Sequence, residues 1–115
     1  MNQKGDCIVA EHRPVVRIFF AKMKETFFEL SEAEKIEFMR KDRENLDALG
    51  MKAISMIDCR WSNDEWDYIG VEQWPSMEAI GKREKFENEE LGILKYVRAK
   101  TYLGTPQIYE SYGKM

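Results

Sequence analysis

The run Val15-Val16-Arg17-Ile18-Phe19-Phe20-Ala21-Lys22-Met23 constrains the fold more than any other part of the chain. Its β-branched and aromatic residues suit a pleated strand, and Pro14 just before it suits the strand's start. Side chains alternate across a strand. Val16, Ile18 and Phe20 therefore fall on one face, and Val15, Phe19, Ala21 and Met23 on the other. An antiparallel sheet with one wet face would alternate apolar with polar residues instead. Both faces of this strand need cover, so the fold must supply it twice.

The punctuation downstream sets the order of elements. Ser31 with Glu34 three residues later forms a capping box, and Glu32 and Glu34 put negative charge at the favourable end of the helix dipole. Ala33, Ile36, Met39, Leu46 and Leu49 recur at helical spacing as one apolar stripe, and Gly50 is a natural stop. Met51 to Trp61 reads as a second strand, Ser62-Asn63-Asp64-Glu65 as a turn, and Trp66 to Trp74 as a third strand paired with the second in a hairpin. Pro75 ends that strand, and Ser76 caps a second helix with Met77, Ile80 and Phe86 on its apolar side. A short helical turn is expected over 88–94, weakened by Gly92. A fourth strand runs over Lys95 to Leu103 and is closed by Gly104-Thr105-Pro106.

With 115 residues there is room for one domain, read as 15–104 between a loose N-terminal arm over 1–14 and a tail over 105–115 that carries Tyr109 and Tyr112. The order strand, helix, strand, strand, helix, strand is the β-α-β-β-α-β unit of ferredoxin-like α+β domains, with a four-stranded antiparallel sheet. Right-handed crossovers place both helices on one sheet face. The other face stays apolar and open, and the simplest cover is a second copy packed face to face. A homodimer through the sheet faces follows as the expectation.

Charge excludes several partners. Charged residues make up 34% of the chain, the signs are interspersed and the formal net charge is -3. No basic face marks a nucleic-acid protein, no RNP-type aromatic-basic motif marks an RNA-binding sheet, and no basic cluster marks a membrane binder. No stretch is long enough to cross a bilayer, and no apolar run follows Lys4 as a signal peptide would require, so a cytoplasmic protein is expected. Cys7 and Cys59 are far apart and His12 stands alone, so no zinc site assembles and no metal or cofactor is called for. Cys59 reads as a small buried hydrophobe and His12 as an exposed residue of the arm.

Chemistry, if any, centres on Glu72. Period two puts it on one strand face with Trp66, Tyr68, Gly70 and Trp74, and an apolar pocket there would raise its pKa toward general acid or base work. The commoner outcome is an ion pair with a cross-strand Arg17, Arg60 or Arg98. Gly70 could leave room for a ligand or mark a bulge. Trp61, Trp66, Trp74, Tyr68, Tyr96 and Tyr102 could line a pocket for a flat organic molecule, though such residues more often serve core and interface.

The passage Tyr68-Ile69-Gly70-Val71-Glu72-Gln73-Trp74-Pro75-Ser76-Met77-Glu78-Ala79, followed by Phe86, resembles the dimeric α/β barrel superfamily, in which a strand ending in an aromatic runs straight into a helix. Over about 15–104 the layout is most similar to its small darcynin-like proteins. The resemblance implies a homodimer that either binds a small organic ligand between sheet and helices or acts as a cofactor-independent monooxygenase- or isomerase-like enzyme on an aromatic or polyketide-like substrate. Its haem-degrading branch implies a helical His ligand, which His12 before the first strand does not match.

Overall fold

The computed structural model describes residues 14–107 and Gly113. Residues 1–13 of the proposed arm over 1–14, with Cys7 and His12, and the tail tyrosines Tyr109 and Tyr112 lie outside the described residues. The elements run β1 (Val15–Met23), α1 (Glu25–Phe28), α2 (Glu32–Ala48), β2 (Lys52–Asp58), β3 (Tyr68–Trp74), α3 (Met77–Phe86), a π-helical turn (Glu87–Leu91), a 3-10 turn (Ile93–Lys95) and β4 (Val97–Gly104). The four strands form one sheet in the order β2-β3-β1-β4, with all three pairings antiparallel. This is the expected ferredoxin-like α+β fold, with the one-turn α1 added after β1.

Local chemistry explains the helix ends. Ser31 Oγ accepts from the Glu34 amide at 3.1 Å, and Glu34 Oε1 accepts from the Ser31 amide at 2.9 Å, completing the capping box. At the other end Gly50 takes φ 82°, which lets the Met51 amide reach the Leu46 carbonyl and the Gly50 amide reach that of Asp47. Ser76 caps α3 through the Ala79 amide at 3.2 Å.

Both helices pack on the same sheet face. Val15 and Trp74 from the central strands meet Ala79 and Ile80 of α3, with Leu46, Leu49 and Met51 packed against them. The α2 stripe differs from expectation. Leu46 and Leu49 reach the core, but Ile36 and Met39 are 66% and 62% exposed. The face of α2 turned inward carries Phe38, Asp42, Asn45 and Leu49, spaced i, i+4, i+7 and i+11, and two of those are polar. An ion-pair partner on α3, rather than apolar content, sets how the helix rolls onto the sheet.

On the opposite face, Val16, Ile18 and Phe20 stand opposite Gln73, Val71 and Ile69, and Ile57 of β2 and Tyr102 of β4 extend the surface sideways. The helices leave this face bare. Both outer strands are correspondingly exposed, β2 along its whole length.

Candidate functional site

β3 delivers Glu72 to the helix-covered face, directly opposite Arg17 of β1. Arg17 Nε donates to Glu72 Oε1 at 2.8 Å, and the Trp74 indole Nε1 donates to the same oxygen at 3.1 Å. The Arg17 guanidinium also lies 5.2 Å from the Trp74 ring centre, a cation over an aromatic face. Trp74 is fully buried, and Arg17 and Glu72 are nearly so. The carboxylate thus has a cross-strand arginine for a partner, one of the three foreseen.

The pair is the inner end of a longer chain of charges. Arg17 reaches Glu87 of the π-helical turn at 3.5 Å, Arg83 of α3 reaches the same Glu87 at 3.1 Å, and Arg83 then bonds Asp42 and, at 2.9 Å, Asn45 of α2. Glu72, Arg17, Glu87, Arg83 and Asp42 alternate in sign and run from the sheet through α3 to α2. Desolvation works against the charge on Arg17, but Glu87 and Glu72 beside it more than restore it and hold the guanidinium above the ordinary arginine value. Arg83, Glu87 and Asp42 were not singled out from the sequence. The i, i+4 spacing of Arg83 and Glu87 was the available signal; the link to α2 is long-range and left none.

Tyr68, Gly70, Glu72 and Trp74 share the helix side of β3, as period two requires. Trp66 does not join them. It precedes β3, and its ring packs at 5.7 Å from Phe20 on the open face, beneath the Arg98 guanidinium at 4.4 Å. The alternation stops with the strand at Tyr68, and Asn63 sets the turn before it by accepting from the Glu65 and Trp66 amides and donating to the Cys59 and Trp66 carbonyls. Gly70 leaves no vacancy either. The Phe19 ring lies over it so closely that a Cβ there would come within 2.0 Å of a ring carbon. The remaining aromatics scatter: Trp61 is 87% exposed, Tyr102 is on the open face, and Tyr96 lines a separate cleft. Cys59 is buried just beyond β2, with its thiol against the Trp66 carbonyl at 3.3 Å.

That cleft lies between α2 and the two turns after α3. Its volume is about 350 Å³, and Leu30, Ala33, Phe38, Leu91 and Tyr96 form an apolar floor beneath Glu34, Glu37, Lys41 and Glu90. An adjoining hollow of about 390 Å³ shares Lys41 and Glu90 and continues past Arg40, Asn45 and Phe86. The bonds from Ser31 hold Glu34, and that from Arg40 holds Glu37, below the ordinary glutamate value. Among the described residues Lys41 and Glu90 make no ion pair. Among the described residues no cluster of His, Cys, Asp and Glu could hold a metal ion, and no helix is long and apolar enough to cross a membrane.

No protein-family model and no curated protein matches the sequence. Solved structures do. Chlorite dismutase from Candidatus Nitrospira defluvii superposes with a TM-score of 0.67 at 9% identity, over 96% of this chain and 47% of that one. The methylated form of RPA0582, described elsewhere as a Rhodopseudomonas palustris protein of unknown function, gives 0.64 at 13% identity over 95% and 93%. A dabb family protein with a ferredoxin-like fold from Mesorhizobium loti gives 0.54 at 10% identity over 83% and 98%. The fold these chains share with this one is the ferredoxin-like one. At such identities the likeness carries the fold alone, and the chain spans about half the length of the dismutase. Within that fold, what distinguishes this chain is its own side chains: the buried charge chain, the cleft and the bare sheet face.

Proposed function

We propose that the chain is a cytoplasmic homodimer, joined through the open sheet faces, that binds a small and largely apolar organic molecule in the cleft beside α2. The cleft carries this reading. Its volume falls in the range of small-molecule sites, and its apolar floor under a few charged groups is the usual make-up of one. Lys41 and Glu90, free of ion pairs, are the groups that would orient the ligand. The bare face of Ile18, Phe20, Ile69 and Val71 supports the dimer, and a free buried Cys59 suits a reducing compartment. On this reading Glu72 braces Arg17 and Trp74 in the core, and Tyr68, Gly70, Glu72 and Trp74 do not line the cleft. The alternative, a cofactor-independent monooxygenase- or isomerase-like enzyme, would use Glu72 to move a proton. Arg17 and Trp74, both held on the same oxygen, favour the bracing role.

A saturation-transfer NMR screen of aromatic and polyketide-like compounds tests the proposal. Hits are expected to lose binding in Ala33→Trp, which fills the cleft from an exposed position, and to keep it in Glu72→Gln. Hits that survive Ala33→Trp would overturn the cleft, turnover abolished by Glu72→Gln would favour the enzyme, and a monomer by sedimentation at micromolar concentration would overturn the dimer.

A further inference from the structure

The open sheet face is not uniform. Its middle is apolar, but the end formed by the close of β1 and the start of β4 gathers three cations in an acidic protein. Lys22 and Arg98 stand directly opposite one another, and Lys100 stands opposite Phe20 two residues along on the same face. Like charges directly opposite in a sheet repel. Of the three, Lys22 is paired, with Asp67 at 3.1 Å. Among the described residues Arg98 donates to the Glu65 backbone carbonyl at 2.7 Å, and Lys100 bonds the Tyr102 hydroxyl, 5.3 Å from that ring's centre, with Glu65 farther off; neither is in an ion pair.

Aromatic rings surround these cations. Arg98 lies over Trp66, Trp66 packs on Phe20, and Tyr102 meets Phe20 edge to face at 6.2 Å. Rings that hold guanidinium and ammonium groups in place cut the ordering cost of a bound anion, and their exposed edges accept a flat apolar body. Two copies packed face to face cannot bring this end onto itself without apposing unpaired cations. In the dimer proposed above, a two-fold axis through the apolar middle leaves the cationic end at the rim, open to solvent.

We propose that this end of the open face, formed by Arg98, Lys100, Phe20, Trp66 and Tyr102, binds a planar aromatic carboxylate. The carboxylate takes the unpaired charges of Arg98 and Lys100, and the ring lies against Tyr102 and Trp66. The site is distinct from the cleft beside α2, which lies on the other side of the sheet and has its own cation, Lys41.

The probe is 2-naphthoate, compared with neutral 2-naphthamide, titrated by calorimetry into the full chain. Naphthoate is expected to bind about tenfold or more tightly than the amide, and the double variant Arg98→Gln/Lys100→Gln, altered at exposed positions, to lose that preference. Lys41→Gln is expected to leave it intact. Equal binding of the two probes, no binding of either, or a preference lost in Lys41→Gln and kept in the double variant would overturn the proposal. The last result would move the anion into the cleft and strengthen the reading of that cleft as the binding site. Sedimentation of the double variant is expected to match the parent, which separates this site from the dimer contact.

Discussion

The two faces of the sheet are built on opposite terms. On the helix side, strongly polar groups are buried, and each has a partner within the chain: Glu72 with Arg17 and Trp74, Glu87 with two arginines, Arg83 with Asp42 and Asn45. Space is used as fully as charge, with Phe19 occupying the room that Gly70 leaves. On the open side, apolar residues are half-covered and two cations lack a carboxylate. A face satisfied from within owes its contribution to stability. The face left incomplete is where we propose a second copy, over its middle, and an anion, at its end.

The largest expected difference between the faces comes from removing a charge on each. Arg17→Met leaves Glu72 buried without its cation, while the partly buried Glu87 keeps Arg83, and should cost about 3–5 kcal/mol, the usual penalty for stranding a buried charge. Adding Glu72→Gln should recover part of it, because a neutral amide needs no counter-ion and the two sites are in contact. Lys100→Gln on the open side should leave stability within about 0.5 kcal/mol. Urea unfolding at one fixed protein concentration measures all three. A mild Arg17→Met would mean that the charge chain is surface-like despite its burial.

A charge placed in the middle of the open face tests the other term of the comparison. Val71→Glu should weaken self-association about a hundredfold, close to 2.7 kcal/mol, while leaving the far-ultraviolet circular dichroism of the monomer intact. Sedimentation over a concentration series reads this directly. An unchanged dimer would place the contact elsewhere, with the exposed β2 edge the next surface to examine.

How much of this was legible follows from the range of each interaction. Ser31 with Glu34, Gly50 and Ser76 act within one turn, so the helix limits could be read from local pattern. β1 was found with its full extent because its apolar density has no rival reading. The roll of α2 was not legible: Ile36 and Met39 looked like its inner stripe, whereas Asp42 and Asn45 face inward to meet Arg83 some forty residues away. Trp66 was misplaced for a similar reason, since period two holds only within the strand and the turn set by Asn63 delays its start to Tyr68. Glu72 was found by alternation, and Arg17 was among its named partners, but the cleft joins α2 to turns after α3 and depends on packing that no local pattern encodes.

Gly70 offers a smaller effect and a contrast within the helix side. Gly70→Ala must displace the Phe19 ring and should cost about 1–3 kcal/mol, and Phe19→Leu in the same chain should return much of that. Gly81→Ala, on α3 with open space around its Cβ position, should instead stabilise by up to about 1 kcal/mol through helix propensity. Thermal unfolding of the three variants decides it. Equal losses at both glycines would mean that backbone conformation, rather than the ring above Gly70, sets the cost.

The smallest expected effect lies where the two faces meet. Asp67 accepts from the Met23 amide at 2.9 Å and from Lys22 at 3.1 Å, tying the end of β1 to the hairpin. Its desolvation tends to raise the carboxyl, but those bonds and the charges of Lys22 and Arg60 prevail and hold it below the ordinary aspartate value. A carboxyl lowered by folding contributes stability that is fully present above its unfolded pKa, about 3.9, and is lost as the pH falls through its lower folded value. Asp67→Asn should therefore be less stable than the parent at pH 6, and the gap should narrow steadily below pH 4. Glu34, Glu37 and Asp58, also held low, titrate alike in both proteins and cancel in the difference. Urea midpoints for the pair from pH 6 to pH 3 give the answer, because a constant gap across that range would mean that the Asp67 carboxylate gains nothing from its place between the faces.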